Sequence, residues 1–202
     1  MALLVSGHLW AIRQGSTALK WLLKPTAALT FVFAGVYVGA LESTWGTVLF
    51  AGLLLAAGGD VFLIPRSTFL AGLVSFLLGH VAYAVAFAVR GVDVAWALGS
   101  LLVLGPGGFA IARRLWPDVT PKMQKPVAAY MAVITVMVAL AAGTYGARGN
   151  VWVVVGAVGF YFSDISVARD RFANAGFANK VWGSPLYFFS QLLLAGTAIS
   201  PA

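Results

Sequence analysis

The chain has 202 residues, of which 61% are hydrophobic and only 9% are charged. Ordinary soluble proteins carry roughly 25% charged residues, so this composition excludes a water-soluble globular domain. The net charge of +7 does not indicate nucleic-acid binding, because the basic residues are scattered in short segments between apolar runs. The composition instead predicts one membrane domain over residues 1–202, an all-α, polytopic transmembrane helical bundle.

Eight apolar segments follow one another along the chain, separated by charges or turn residues. Seven have at least the roughly 17 residues that a membrane span needs, whereas the first has only about 11 and is expected to be a short span. A cleaved signal peptide is not expected there, because no basic residue precedes the apolar run and no small-x-small site closes it. The predicted spans are 2–12, 25–41, 46–64, 67–90, 93–113, 126–146, 150–168 and 181–199.

Basic residues are distributed unequally between the two sides of this predicted bundle. Counted in alternate connections, all but Arg90 and Arg148 of the 13 Lys and Arg residues lie on one side. By the positive-inside rule, the connections after spans 1, 3, 5 and 7 should face the cytoplasm. We therefore expect a multi-pass protein of the plasma membrane with its C-terminus outside.

The residue types present exclude several kinds of site. Cysteine is absent, which rules out disulfides, thiol nucleophiles and Cys-ligated metal sites. Two histidines, His8 and His80, are too few for a three-histidine zinc site, and the chain has no HExxH motif. We therefore expect no metal and no other cofactor.

The two halves of the chain, about 1–92 and 93–202, carry similar landmarks in the same order. These matches predict a four-plus-four internal repeat, with chance similarity as the alternative. Because four spans is an even number, the halves would run parallel, related by an axis along the membrane normal. The matched landmarks are Lys24-Pro25 and Lys125-Pro126, Asp60 and Asp164, and Gly79-His80-x-x-Tyr83 and Gly183-Ser184-x-x-Tyr187.

Asp60 and Asp164 are the two acidic residues that fall inside predicted spans. An aspartate at the centre of a membrane helix costs about 2.5–3.5 kcal/mol on insertion scales, so two of them need a reason. Desolvation and mutual repulsion would leave one carboxyl protonated while the other ionises, which supplies one acid and one base. The alternative is a pair of hydrogen-bond anchors that hold helices together.

Other polar residues are candidates for supporting this site. His80 and Tyr83 lie one turn apart on one helix face and could orient an aspartate or a water molecule. A histidine that is simply hydrogen-bonded inside the bundle is the alternative. Lys24 is a candidate for binding a phosphate, although topology alone also predicts a basic residue there.

The second half of the chain supplies four further candidates. Ser184, Tyr187 and Gln191 could line the site, with a packing role as the alternative for each. Ser163 precedes Asp164, but its side chain should point about 100° away around the helix. No GxSxG motif accompanies these serines, so a serine hydrolase is not expected.

Several of these motifs occur together and in order: Lys24-Pro25, Gly59-Asp60, Gly79-His80-x-x-Tyr83, Ser163-Asp164 and Trp182-x-x-Pro185-x-Tyr187-x-x-x-Gln191. The set resembles the YhhN-like lysoplasmalogenase family of multi-span membrane proteins, from about residue 20 to 195. The resemblance implies about eight spans and hydrolysis of the vinyl ether bond of lysoplasmalogens. The products would be a fatty aldehyde and glycerophosphoethanolamine or glycerophosphocholine. The partners would then be a lysophospholipid substrate and membrane lipids, with no nucleic acid.

Vinyl ether hydrolysis also suits the residues taken by themselves. It needs a neutral carboxylic acid to protonate carbon and a carboxylate to stabilise the resulting cation, as in glycoside hydrolysis. Asp60 and Asp164 are the predicted acid/base pair. Three alternatives stay open: a transporter or proton-coupled carrier, a non-enzymatic lipid-binding or assembly protein, and a family member that acts on another enol ether or lysolipid.

Overall fold

The computed structural model describes residues 1–199, which form eight α-helices joined by short connections and no β-strand. The predicted all-α helical bundle is therefore confirmed. The helices are α1 (Ala2–Arg13), α2 (Thr17–Tyr37), α3 (Thr44–Phe62), α4 (Phe69–Arg90), α5 (Val94–Leu115), α6 (Pro121–Arg148), α7 (Val151–Phe172) and α8 (Gly176–Gly196).

Six helices, α2 to α7, are long and apolar enough to cross a membrane. Their outward faces carry large apolar side chains, such as Leu102 and Val103, which are 78% and 75% exposed and suit contact with lipid. The chain is therefore a multi-pass membrane protein. Helix α1 is shorter, since its 12 residues extend only about 18 Å against a hydrocarbon core of about 30 Å. Helix α8 buries polar residues, including Asn179 and Gln191, which lower its mean hydropathy.

Helices α2 and α6 begin before the predicted starts at residues 25 and 126. Ser16 caps α2, because its hydroxyl accepts a hydrogen bond of 3.4 Å from the backbone nitrogen of Leu19. Helix α6 starts at Pro121, a favourable first residue because a proline there lacks only a donor that would be unsatisfied anyway. Lys24-Pro25 and Lys125-Pro126 consequently lie inside helices rather than opening them.

The helices are arranged as four hairpins, and contacts between these hairpins join the two halves of the chain. Each helix packs on its neighbour within the pairs α1–α2, α3–α4, α5–α6 and α7–α8. Between pairs, α2 packs against α8, and α4 packs against α6. The last helix of each half therefore lies against the second helix of the other half, which brings polar residues from distant parts of the sequence together.

Glycine residues allow close contact between α3 and α4. A Cβ atom at Gly52 would lie 2.5 Å from the ring of Tyr83, and one at Gly59 would lie 2.6 Å from the ring of Phe76. Small residues at such contacts let helix backbones approach in a membrane, where packing rather than hydrophobic burial drives association. The close contact buries the rings of Tyr83 and Phe76 in the interior of the bundle.

Candidate active site

The carboxylate of Asp60 is buried in an ion pair with Lys24. Oδ1 of Asp60 lies 3.1 Å from Nζ of Lys24, and Oδ2 accepts a hydrogen bond of 2.7 Å from the hydroxyl of Tyr187. Lys24 also donates to the backbone oxygen of Asp60 at 3.1 Å, where the last turn of α3 leaves carbonyl groups without helical donors. Helices α2, α3 and α8 thus meet at this carboxylate.

The carboxylate of Asp164 has different partners, supplied by α4 and α6. Its Oδ2 accepts a hydrogen bond of 2.6 Å from the hydroxyl of Tyr130 and lies 3.0 Å from Nε2 of His80. Nε2 of His80 is also 2.9 Å from the Tyr130 hydroxyl. His80 is fully buried, whereas the side chain of Asp164 is 13% exposed. Oδ1 of Asp164 accepts no hydrogen bond from any residue in 1–199, so one carboxyl oxygen is held and the other is not.

Aromatic rings separate the two aspartate clusters. The ring of Phe160 lies 4.5 Å from His80 and 5.4 Å from Tyr187, measured between centroids. Phe76 packs edge-on against both Phe160 and Tyr187, at 6.1 and 5.8 Å. No hydrogen bond joins Asp60 to Asp164 within the part of the chain that the structure describes. The clusters are therefore neighbours across an apolar layer, each with its own hydrogen-bond partners.

An apolar groove between α4, α6 and α7 reaches Asp164. The volume of this cavity is about 70 Å³. The walls are mostly aromatic and aliphatic, and Asp164 is the acidic residue among those that line it; Asp60 does not line it. Such a groove could receive part of an apolar chain and present one carboxyl group to it. The lining includes Phe69, Phe76, Tyr130, Tyr161, Asp164 and Phe172.

A third buried polar pair connects α4 with α8. The hydroxyl of Tyr83 donates a hydrogen bond of 2.6 Å to Oε1 of Gln191, and both residues are fully buried. Nε2 of Gln191 has no hydrogen-bond partner among the described residues. Tyr83 lies one turn from His80 on α4, but its hydroxyl contacts Gln191 and not an aspartate.

Two of the predicted residues are not brought into these clusters. The hydroxyl of Ser163 donates to the backbone oxygen of Phe160 at 2.7 Å, so it is satisfied within its own helix. Ser184 is half-buried and makes no side-chain hydrogen bond with the site residues described above. Neither serine is positioned to act on a group bound at Asp164. Within residues 1–199 no three His, Asp or Glu side chains are grouped as metal ligands.

Tyr130 is the site residue that the sequence analysis missed. It is buried at 9% exposure, and its hydroxyl contacts both Asp164 and His80. A tyrosine in an apolar span resembles an ordinary packing residue, since most of its surface is a hydrophobic ring. The available signal was its position, about one helical turn after Pro126, in a span with few other hydrogen-bonding side chains.

Comparison with known proteins finds one matching family and two similar curated proteins. The model of the YhhN family matches residues 19–198. Lysoplasmalogenase TMEM86A of Bos taurus is 29% identical over 161 residues, which cover 76% of this chain and 65% of that protein. The Homo sapiens protein of the same name is 28% identical over the same shares. The matched region thus spans about 65% of the length of these relatives.

No solved structure matches the chain significantly. The family match nevertheless covers α3 to α8 and all but the first two residues of α2, and it includes Lys24, Asp60, Asp164, His80 and Tyr130. The hydrogen-bond clusters built on these residues are accordingly features of the matched region, and the chain belongs to the YhhN family.

Proposed function

We propose that this protein is an integral-membrane hydrolase that cleaves the vinyl ether bond of lysoplasmalogen-type lysophospholipids. The products are a fatty aldehyde and glycerophosphoethanolamine or glycerophosphocholine. The observation that carries the proposal is the position of Asp164, whose carboxyl is held by Tyr130 and His80 on the wall of an apolar groove. The family match and the names of the two relatives support the same reaction.

Asp164 is assigned as the acid that protonates the β-carbon of the vinyl ether. Its Oδ2 is held by Tyr130 and His80, so the transferable proton belongs on Oδ1, which no described residue contacts. The electron pair of the carbon–carbon double bond forms the new C–H bond. Positive charge then spreads over the α-carbon and the ether oxygen as an oxocarbenium ion, and Asp164 becomes a carboxylate beside it.

Water completes the reaction and restores the acid. Its oxygen adds to the α-carbon, and one of its protons returns directly to Oδ1 of the Asp164 carboxylate, while Nε2 of His80 lies 3.0 Å from Oδ2 and helps to hold the carboxylate in place. The resulting hemiacetal loses its hydroxyl proton as the bond between the α-carbon and the glycerol oxygen breaks. That oxygen takes up a proton, so one water is consumed, and an aldehyde and an alcohol are formed.

Asp60 is assigned an electrostatic role rather than contact with substrate. Its carboxylate does not line the groove, and Lys24 and Tyr187 hold it on the far side of the aromatic layer. Fixed charges in a site that excludes water act over longer distances than they do in solution. Lys24 balances the charge of Asp60, and we propose that the negative end of this ion pair favours the cationic intermediate formed beside Asp164.

The substrate is proposed to come from the cytoplasmic leaflet of the plasma membrane. The imbalance of basic residues predicts that the connection between α7 and α8 faces the cytoplasm and that the C-terminus faces outside. In a bacterial host, alkaline phosphatase fused at the C-terminus should be active, whereas a fusion after Arg114 should be inactive. The reverse pattern would contradict the orientation.

Release of aldehyde by the detergent-purified protein tests the function. Asp164→Asn should lower kcat by roughly 10²- to 10⁴-fold, the usual contribution of a general acid, and Asp60→Asn by roughly 10- to 100-fold. Asp170→Asn is the matched control, because Asp170 pairs with Lys180 at the end of the same helix and should keep full activity.

Two results would contradict the proposal. The first is a wild-type protein that releases no aldehyde from a lysoplasmalogen, and the second is an Asp164→Asn variant that is fully active. Proton flux or lipid uptake in proteoliposomes, without product formation, would identify a carrier instead.

A further inference from the structure

Arg171 lies at one end of the groove that reaches Asp164. Its guanidinium carbon is 4.3 Å from the ring centroid of Phe69, a cation–π contact. Phe69 in turn packs edge-on against Phe172 at 6.0 Å, and both rings line the groove. Phe69 begins α4 and Phe172 ends α7. Arg171 therefore lies over the end of the groove at which α4 starts and α7 ends.

The guanidinium of Arg171 is free to bind an anion. In the part of the chain that the structure describes, ion pairs join Lys24 with Asp60 and Lys180 with Asp170. Arg171 takes part in none of these ion pairs, its side chain donates no hydrogen bond to any residue in 1–199, and the residue is exposed. An arginine presents a planar fork of donors that matches a phosphate group bidentately, and this geometry distinguishes it from a lysine.

The spacing between Arg171 and Asp164 fits a phosphate-bearing substrate. The two residues are seven positions apart on α7, which places them on the same face of the helix and about 10 Å apart along its axis. In an extended lysoplasmalogen, the chain of bonds from the β-carbon of the vinyl ether to the phosphorus is about 8 Å long. A molecule that presents this carbon to Asp164 therefore carries its phosphate to the level of Arg171.

We propose that Arg171 binds the phosphate of the substrate and thereby selects single-chain amphiphiles that carry one. The inference rests on the proposed function, because Asp164 sets the position of the reacting carbon. The apolar chain lies along the aromatic lining of the groove, and the headgroup stays at the membrane surface beside Arg171. The arginine is a specificity-determining residue that acts on binding, whereas the proton transfers occur at Asp164.

Steady-state kinetics with two substrates test this assignment. Arg171→Gln should raise KM for a lysoplasmalogen about tenfold, equivalent to about 1.4 kcal/mol, with kcat changed less than twofold. KM for 1-alkenylglycerol, which has the same vinyl ether and no phosphate, should not change. For Arg171→Lys, KM for the lysoplasmalogen should lie between the values of the wild type and of Arg171→Gln, because lysine keeps the charge and loses the bidentate fork.

Arg169→Gln is the matched control for the loss of charge. Arg169 is also exposed and lies in the same last turn of α7. Because it is two residues from Arg171, its side chain points about 200° away from that of Arg171 around the helix. It should leave both KM values unchanged. An equal rise for the two substrates in Arg171→Gln, or an equal effect of Arg169→Gln and Arg171→Gln, would overturn the proposal.

A binding measurement separates this inference from the catalytic one. The probe is 1-alkyl-glycerophosphocholine, whose saturated ether cannot be protonated at carbon, titrated calorimetrically in a maltoside detergent that carries no phosphate. Arg171→Gln should raise the Kd for 1-alkyl-glycerophosphocholine about tenfold, whereas Arg169→Gln should leave it unchanged. Both variants should bind 1-alkylglycerol as the wild type does. If the wild type released no aldehyde, the proposed function would fail while this titration still decided the role of Arg171. An Arg171→Gln variant that binds 1-alkyl-glycerophosphocholine as tightly as the wild type would overturn the assignment of Arg171 to the phosphate.

Discussion

Nε2 of His80 lies 3.0 Å from Oδ2 of Asp164, although the two residues belong to different halves of the chain. His80 belongs to α4 and Asp164 to α7, and both helices pack against α6, whose Tyr130 hydroxyl lies 2.9 Å from the same nitrogen. Nδ1 of His80 is buried and has no hydrogen-bond partner among the described residues. The imidazole therefore directs its polar contacts through one nitrogen, toward the carboxyl that lines the groove.

Removing the hydroxyl of Tyr130 should impair catalysis more than folding. Tyr130→Phe deletes the 2.6 Å hydrogen bond to Asp164 while keeping the ring that packs against His80. We expect kcat for aldehyde release to fall roughly 10- to 100-fold and unfolding free energy to fall by only about 1 kcal/mol. Tyr161→Phe is the control, because Tyr161 also lines the groove but makes no side-chain hydrogen bond in residues 1–199. Equal activity of the two variants would be inconsistent with the site.

Breaking the Lys24–Asp60 ion pair should destabilise the bundle, and neutralising both partners should restore it. Lys24→Met leaves the buried Asp60 carboxylate without its counter-ion, a loss of about 3–5 kcal/mol in comparable buried pairs. The double variant Lys24→Met/Asp60→Asn should recover most of that stability, because no unpaired charge is left. Thermal unfolding in detergent is the measurement.

The control for this pair is Lys20→Met, one turn earlier on α2. Lys20 is half-buried and forms no ion pair with a described residue, so its replacement should change stability by less than about 0.5 kcal/mol. A Lys24→Met variant as stable as Lys20→Met would show that Asp60 does not depend on its ion pair.

Tyr83 and Gln191 should behave as one unit in a double-mutant cycle. Tyr83→Phe leaves Oε1 of Gln191 buried without a donor, which should cost about 1–3 kcal/mol of unfolding free energy. Gln191→Leu removes an amide whose nitrogen is already unpartnered, so the double variant should be less destabilised than the sum of the single variants. Strictly additive losses would mean that the 2.6 Å hydrogen bond contributes nothing measurable.

Gly52 should not tolerate a side chain. A Cβ there would lie 2.5 Å from the Tyr83 ring, so Gly52→Ala should separate α3 from α4 and lose about 1–3 kcal/mol through overpacking. Gly99→Ala is the control, since nothing lies within 4 Å of its Cβ position. It should be neutral or stabilising by up to about 1 kcal/mol. Equal melting temperatures for the two variants would contradict close packing at Gly52.

Much of the fold could be predicted from hydropathy alone, with errors confined to the ends of helices. A membrane requires long apolar helices whose backbone groups are satisfied internally, and the predicted spans accordingly lie within α1 to α8 or overlap them closely. The starts of α2 and α6 were wrong because a capping serine and an N-terminal proline extend each helix into a polar segment. These local contacts outweigh the lower hydropathy of the residues concerned.

The candidate site was only partly visible in the sequence. Asp60 and Asp164 could be selected because a carboxyl inside an apolar span is energetically expensive. Tyr130 could not be selected, because a buried tyrosine is ordinary until a polar group is seen beside its hydroxyl. The partners of Lys24 and the backbone hydrogen bond of Ser163 likewise became visible only once distances were known.

Composition and the order of apolar segments determined that the chain is a helical membrane protein with two carboxyl groups inside it. These properties follow from residue types and their spacing, which act locally along each helix. Tertiary structure alone decided that Asp60 pairs with Lys24 and Tyr187, whereas Asp164 meets His80, Tyr130 and the groove. Such partnerships depend on how helices rotate and pack against one another, and the free energy of that packing is spread over residues far apart in sequence.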